Sequence, residues 1–167
     1  MKLLTKITIY IIVLILFTLT SCTSKAEPEK PIVNFTAKVA CENEQYTVVH
    51  SGNSLTSVTY HTPKQLNGLT YTYKNNILSV NYLNLSYTPS STKLPIKNNA
   101  TQLYNILASI SGDNCYILST TEDTATYSLP IAELVCDFTT GRIKEIKLKE
   151  NKQRYIFTYE NIAQQTN

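Results

Sequence analysis

The sequence predicts a mainly β domain: about ten or eleven antiparallel strands in a sheet that curls around one main helix. Three observations predict it. Short runs alternate apolar and polar residues with period two, the pattern of a half-buried strand. Twelve tyrosines, no tryptophan and only four glycines in 167 residues suit a strand-rich globular chain rather than a disordered one. One segment changes to helical spacing. A single short helix cannot cover a large sheet that is apolar on one face, so the sheet must curl on itself and the helix must plug or lid its concave side.

The chain opens with Lys2 and Lys6, followed by residues 7–20, ITIYIIVLILFTLT, which carry no charge. A spanning helix needs roughly 20 apolar residues, so this run has the size of a signal-peptide hydrophobic region. It ends in LTSC, with Leu19 two residues before the small Ser21 and Cys22 directly after. The quartet resembles the lipobox of bacterial lipoproteins. That resemblance implies removal of residues 1–21 between Ser21 and Cys22, with a diacylglyceryl cysteine and acyl chains such as palmitate at Cys22. The mature chain would then hang from the outer face of the cytoplasmic membrane, because two or more acyl chains make a stable anchor. Residues 22–31, with small and charged side chains and two prolines, read as a flexible tether. Residues 32–162 form the domain and 163–167 a polar tail. Loss of Lys2 and Lys6 with the signal lowers the formal charge from +3 to +1, which gives no reason to expect a nucleic-acid partner.

The strands follow in order. Phe35, Ala37, Val39 and Cys41 share one face of the first, and Tyr46 and Val48 one face of the second. Val58 and Tyr60 continue the pattern before Pro63. Leu69, Tyr71 and Tyr73 alternate with threonines, Asn75 and Asn76 suit a hairpin turn, and Leu78, Val80 and Tyr82 return, followed by Leu85 and Tyr87. Ala100, Leu103, Tyr104, Leu107 and Ile110 then fall at helical spacing, with Asn98 or Asn99 able to cap the start and Gly112 the end. Strands resume with Tyr116 and Leu118, Tyr127 and Leu129, Leu134 with Cys136 and Phe138, Ile146 and Leu148, and Tyr155, Phe157 and Tyr159.

This order, a meander, a turn with Pro63, Leu66, Gly68 and Leu69, a helix, and C-terminal hairpins ending in YIFTYENI, resembles the Lol-type (LolA/LolB-like) lipoprotein carrier superfamily. It is more similar still to the small GerS-like lipoproteins of Gram-positive, clostridial-type bacteria. The resemblance implies an incomplete β-barrel with a helix on its concave side. In the carriers the hollow holds acyl chains; in GerS-like proteins the scaffold docks a wall-modifying enzyme, so fold does not decide function.

The residues themselves suggest no enzyme, cofactor or metal. His50 and His61 end strands, where a surface or capping role is expected, and no metal-ligand spacing, phosphate loop or nucleophile elbow occurs. Glu122 and Asp123 belong to a polar turn. Beyond Cys22, three cysteines remain: Cys41 and Cys136 read as small buried hydrophobes, and a Cys115 to Cys136 bridge is left open by spacing. Arg142, Lys144, Lys147, Lys149, Lys152 and Arg154 concentrate basic charge in one hairpin, which would either face an anionic surface or form a solvated edge.

Two functions are expected from this pattern. In the first, a hydrophobic ligand, an acyl chain or lipid-linked molecule, lies against Phe35, Val39, Val48, Tyr71, Tyr73, Val80, Tyr82, Leu103, Leu107, Phe157 and Tyr159; the same residues would also make a filled core. In the second, the anchored domain docks an envelope protein partner. An open hollow favours the first and a filled one the second.

Overall fold

A computed structural model describes residues 26–52, 54–74, 77–88, 99–110 and 115–159. Leu19, Ser21 and Cys22, the turn at Asn75 and Asn76, the cap at Asn98, the stop at Gly112 and the C-terminal tail lie outside the described residues. The described strands are β1 (Asn34–Cys41), β2 (Glu44–Ser51), β3 (Leu55–Thr62), β4 (Thr70–Lys74), β5 (Ile77–Tyr82) and β6 (Leu85–Tyr87) before the helix α1 (Asn99–Ser109). After it come β7 (Tyr116–Thr120), β8 (Thr124–Ser128), β9 (Ala132–Asp137), β10 (Ile143–Leu148) and β11 (Arg154–Thr158). A 3-10 turn, Lys64–Leu66, links β3 to β4 at the Pro63 motif.

All eleven strands belong to one antiparallel sheet in the order β6-β5-β4-β3-β2-β1-β11-β10-β9-β8-β7. Two meanders meet at its centre, where β1 pairs with β11 through Val39 opposite Phe157. The sheet is not closed: β6 and β7 form its two edges. The chain therefore leaves at one edge and returns at the other, and α1 lies between them in sequence. At about 4.8 Å per strand the sheet would measure roughly 48 Å edge to edge if flat. An eleven-residue helix is about 16 Å long, so α1 covers the middle and leaves both edges open.

Period two holds where the sheet is covered. Ala37, Val39 and Cys41 are buried on β1 while Thr36 and Lys38 are not, and Tyr46, Val48 and His50 are buried on β2. The helix contributes Leu103, Ile106 and Leu107, all without exposed surface, to a core that also holds Leu134, Ile143, Ile146 and Tyr155. Ile106 is absent from the helical stripe read from the sequence. At the edges the alternation fails, since every residue of β6 and β7 is exposed.

Candidate functional site

Of the eleven residues expected to line a hollow, Phe35, Val39, Val48, Tyr71, Leu103, Leu107, Phe157 and Tyr159 are brought together, but as packing. Val39, Val48, Leu103 and Leu107 are fully buried, Tyr73 and Phe157 are nearly so, and Phe35, Tyr71 and Tyr159 pack half-buried against them. Val80 and Tyr82 are half-buried on β5. Tyr73 stacks on Tyr104 of α1 with ring centroids 4.2 Å apart, and the Tyr155 hydroxyl donates to Gln102 Oε1 at 3.1 Å. Phe35 meets Phe157 and Tyr159 edge-on, each at 6.0 Å. The middle of the curled sheet is thus occupied by α1.

Open space lies beyond the C-terminal end of the helix. A cleft of about 670 Å³ is lined there by Ile110, Cys115, Ile117 of β7, Tyr127 of β8 and Val33. Its remaining wall is the segment before β1, through Glu27, Pro28, Lys30 and Pro31. That segment belongs to the expected tether, yet it is fastened along the domain. Glu29 N–H donates to Phe138 O at 2.9 Å, Ile32 N–H donates to Gly141 O at 3.0 Å, and the Tyr127 hydroxyl donates to Glu29 O at 2.9 Å. Gly141 turns the β9–β10 hairpin at φ +65°, and a Cβ there would land on the Lys30 carbonyl. Only glycine admits both the turn and the strap.

Val33, Ile110, Ile117 and the two prolines give this cleft its apolar surface, and Cys115, Tyr127, Glu27 and Lys30 are its polar groups. Burial pushes both the Cys115 thiol and the Tyr127 hydroxyl up, so each stays protonated at neutral pH. Cys41, Cys115 and Cys136 are all free thiols, so the bridge that spacing left open is not formed. Cys41 and Cys136 are buried, as expected, and burial pushes Cys136 up to about 12.

The histidines separate. His61 stays on the outer face beside a register shift at Gln45 and Tyr46, with Nε2 2.8 Å from Thr47 Oγ1. It borders a second cleft of about 500 Å³ with Lys38, Gln45 and Thr158; of the eleven expected ligand residues, Val39 alone reaches that cleft. His50 corrects the expectation of a surface or capping role. Its ring is 2% exposed, 5.5 Å from Phe35, with Nδ1 2.8 Å from Thr56 Oγ1, and burial lowers its pKa to about 4.

The basic hairpin is largely answered within its own sheet. Lys144 pairs with Asp137 at 2.9 Å, Lys147 approaches Glu145 at 3.7 Å and Arg154 bonds to the same carboxylate. Lys149 Nζ donates to Ser128 Oγ and Leu129 O at 3.0 and 2.6 Å, and Arg142 lies 5.3 Å from the centroid of the Tyr159 ring. Lys152 borders a third cleft with Lys147, Lys149 and Arg154, and Glu133 shares it. The face is mixed in sign. Among the described residues no three His, Cys, Asp or Glu side chains converge as metal ligands, and no helix is long and apolar enough to cross a membrane.

Fold and site together define an open antiparallel half-barrel, filled by a helix and bearing an apolar cleft at one end. Among solved structures the chain is similar to a LolA superfamily protein from Nitrosomonas europaea, at 13% identity and a TM-score of 0.40, over 77% of this chain and 87% of that one. No family model matches the chain, and no curated protein does.

Proposed function

We propose that this chain is a lipoprotein anchored through Cys22 at the outer face of a bacterial cytoplasmic membrane, where it binds an acyl chain or lipid-linked molecule without catalysing a reaction. The observation that carries the proposal is the cleft at the end of α1. Its volume of about 670 Å³ falls within the roughly 300–1,000 Å³ of small-molecule sites, and such sites are mostly apolar with few polar groups. The site thus moves from the middle of the sheet, where Leu103 and Leu107 fill the space, to Ile110, Cys115, Ile117 and Tyr127.

Cys115 gives a direct test, because it is the one thiol in this lining. Palmitate added to the full-length protein should slow alkylation of Cys115 by iodoacetamide several-fold. Ile117→Glu places a charge in the cleft at a half-exposed position, so the fold should persist and the protection should vanish. Unchanged alkylation at saturating palmitate would sink the proposal. The docking alternative draws on the β6 edge, where Leu83, Leu85 and Tyr87 are exposed. An uncovered apolar edge strand is a template for a partner, and crosslinking from position 85 in the native envelope would identify one.

A further inference from the structure

We infer that the β7 edge of the sheet rests on the membrane surface, so that the apolar cleft opens toward the leaflet rather than toward water. The inference depends on the anchoring through Cys22 proposed above. Hydrogen bonds from Glu29 and Ile32 to the β9–β10 turn hold residues 29–32 to the domain, and Ala26, Glu27 and Pro28 border the β7–β8 turn at Thr120, Thr121 and Glu122. Ala26 is four residues from Cys22. At about 3.5 Å per residue the lipidated cysteine lies within roughly 14 Å of Ala26. The β7–β8 hairpin, with Phe138 of the β9–β10 turn beside it, is therefore within reach of the acyl chains.

That hairpin carries uncovered apolar surface. Tyr116, Ile117 and Leu118 are 60%, 51% and 54% exposed on consecutive positions, and no residue of β7 is charged. Ile117 lies opposite the buried Tyr127 and Tyr116 opposite Ser128, so the apolar side chains project to both faces of the edge. In water this surface is uncompensated; at a lipid interface it is removed from water. A tyrosine suits headgroup level. The unpaired N–H and C=O groups of an edge strand cannot enter hydrocarbon, which limits β7 to shallow contact.

Charge does not supply the attraction. Glu27, Glu122 and Asp123 stand around the same end with Lys30, and of the basic hairpin Lys144 pairs with Asp137 while Lys147 and Arg154 meet Glu145. The contact is apolar, and anionic lipid leaves it unchanged. The opposite edge, β6, is similarly exposed but lies at the far end of the sheet from β7, ten strands away in the pairing order. Because Ile117 belongs both to the exposed strand and to the cleft lining, an acyl chain would enter sideways from the leaflet.

The chain has no tryptophan, so one introduced residue reports without background. Full-length lipidated protein carrying Leu118→Trp would be reconstituted in phosphatidylcholine vesicles with brominated acyl chains, beside Leu85→Trp on the β6 edge. Tyr116→Trp, at an exposed aromatic position, serves as a second β7 reporter whose fold is undisturbed. The expected result is at least twofold quenching for both β7 reporters, none for Leu85→Trp, and the same values when phosphatidylglycerol is added. Unquenched β7 reporters in protein that floats with the vesicles, or equal quenching at both edges, would overturn the inference while leaving the anchor intact. Protein that neither floats nor carries diacylglycerol on Cys22 would remove the anchor, and the inference with it.

Discussion

Replacing Gly141 with alanine should release the strap while leaving the sheet folded. At φ +65° an alanine costs about 1–2 kcal/mol, and its Cβ would coincide with the Lys30 carbonyl, so the strap has to lift. Lifting removes three hydrogen bonds, from Glu29 and Ile32 N–H and from the Tyr127 hydroxyl. At about 1 kcal/mol each these amount to about 3 kcal/mol. The freed backbone regains entropy of about 1–2 kcal/mol per residue, which offsets most of that loss globally. Locally the same bonds are what shield the Glu29 and Ile32 amides from exchange, and that protection goes with them. Hydrogen exchange on the full-length variant should show the Glu29 and Ile32 amides losing that protection, while amides of β1 and β11 retain theirs. Wild-type protection at Glu29 and Ile32 in Gly141→Ala would refute the role assigned to this glycine.

Other outcomes follow from burial and pairing. His50 has a folded pKa of about 4 against 6.5 in the open chain, so as pH falls the unfolded state takes up the proton first. Its contribution is complete above pH 6.5 and is lost toward pH 4, by about 3 kcal/mol in all. Urea midpoints should therefore fall between about pH 7.5 and pH 5, and His50→Gln should flatten that fall. Leu107→Ala should destabilise by about 2–5 kcal/mol in urea titration, and Leu107→Trp should overpack the same filled core rather than merely block a hollow. Without denaturant iodoacetamide should modify Cys115 well before Cys41 or Cys136, which are buried; peptide mapping reads the order. Arg154→Ala should leave the urea midpoint nearly unchanged, since its pair with Glu145 sits at the surface.

Much of the architecture was legible because it rests on local periodicity. Val39 and Val48, or Leu134 and Ile146, alternate with more exposed neighbours because one face is buried, and Leu103, Leu107 and Ile110 recur at helical spacing for the same reason. Period two says which face is apolar, but not how far a cover extends. Leu85, Tyr87, Tyr116 and Leu118 continue the pattern yet lie exposed, since an eleven-residue helix cannot reach both edges of eleven strands. Nor does it distinguish a lined hollow from a filled one; that depends on whether α1 descends to the sheet.

The candidate site was less legible. Pro28, Glu29, Lys30 and Pro31 have the composition of a solvated spacer, and their attachment uses backbone groups that carry no side-chain signature. The TTGR stretch at residues 139–142 suits a hairpin turn, while the second constraint on Gly141, the approach of the strap, comes from 111 positions away in the chain. His50 sits near the end of its strand, where sequence alone suggests exposure, but the register carries it inward, opposite Phe35 and Thr56.

A lipid held in the cleft at the end of α1 is what the proposed function requires. Native mass spectrometry of full-length protein extracted from bacterial membranes should find one further mass in the lipid range beyond the modified Cys22. That mass should persist in Leu85→Ser and disappear in Ile117→Glu. A protein without the extra mass, or an Ile117→Glu variant that keeps it, would contradict the account.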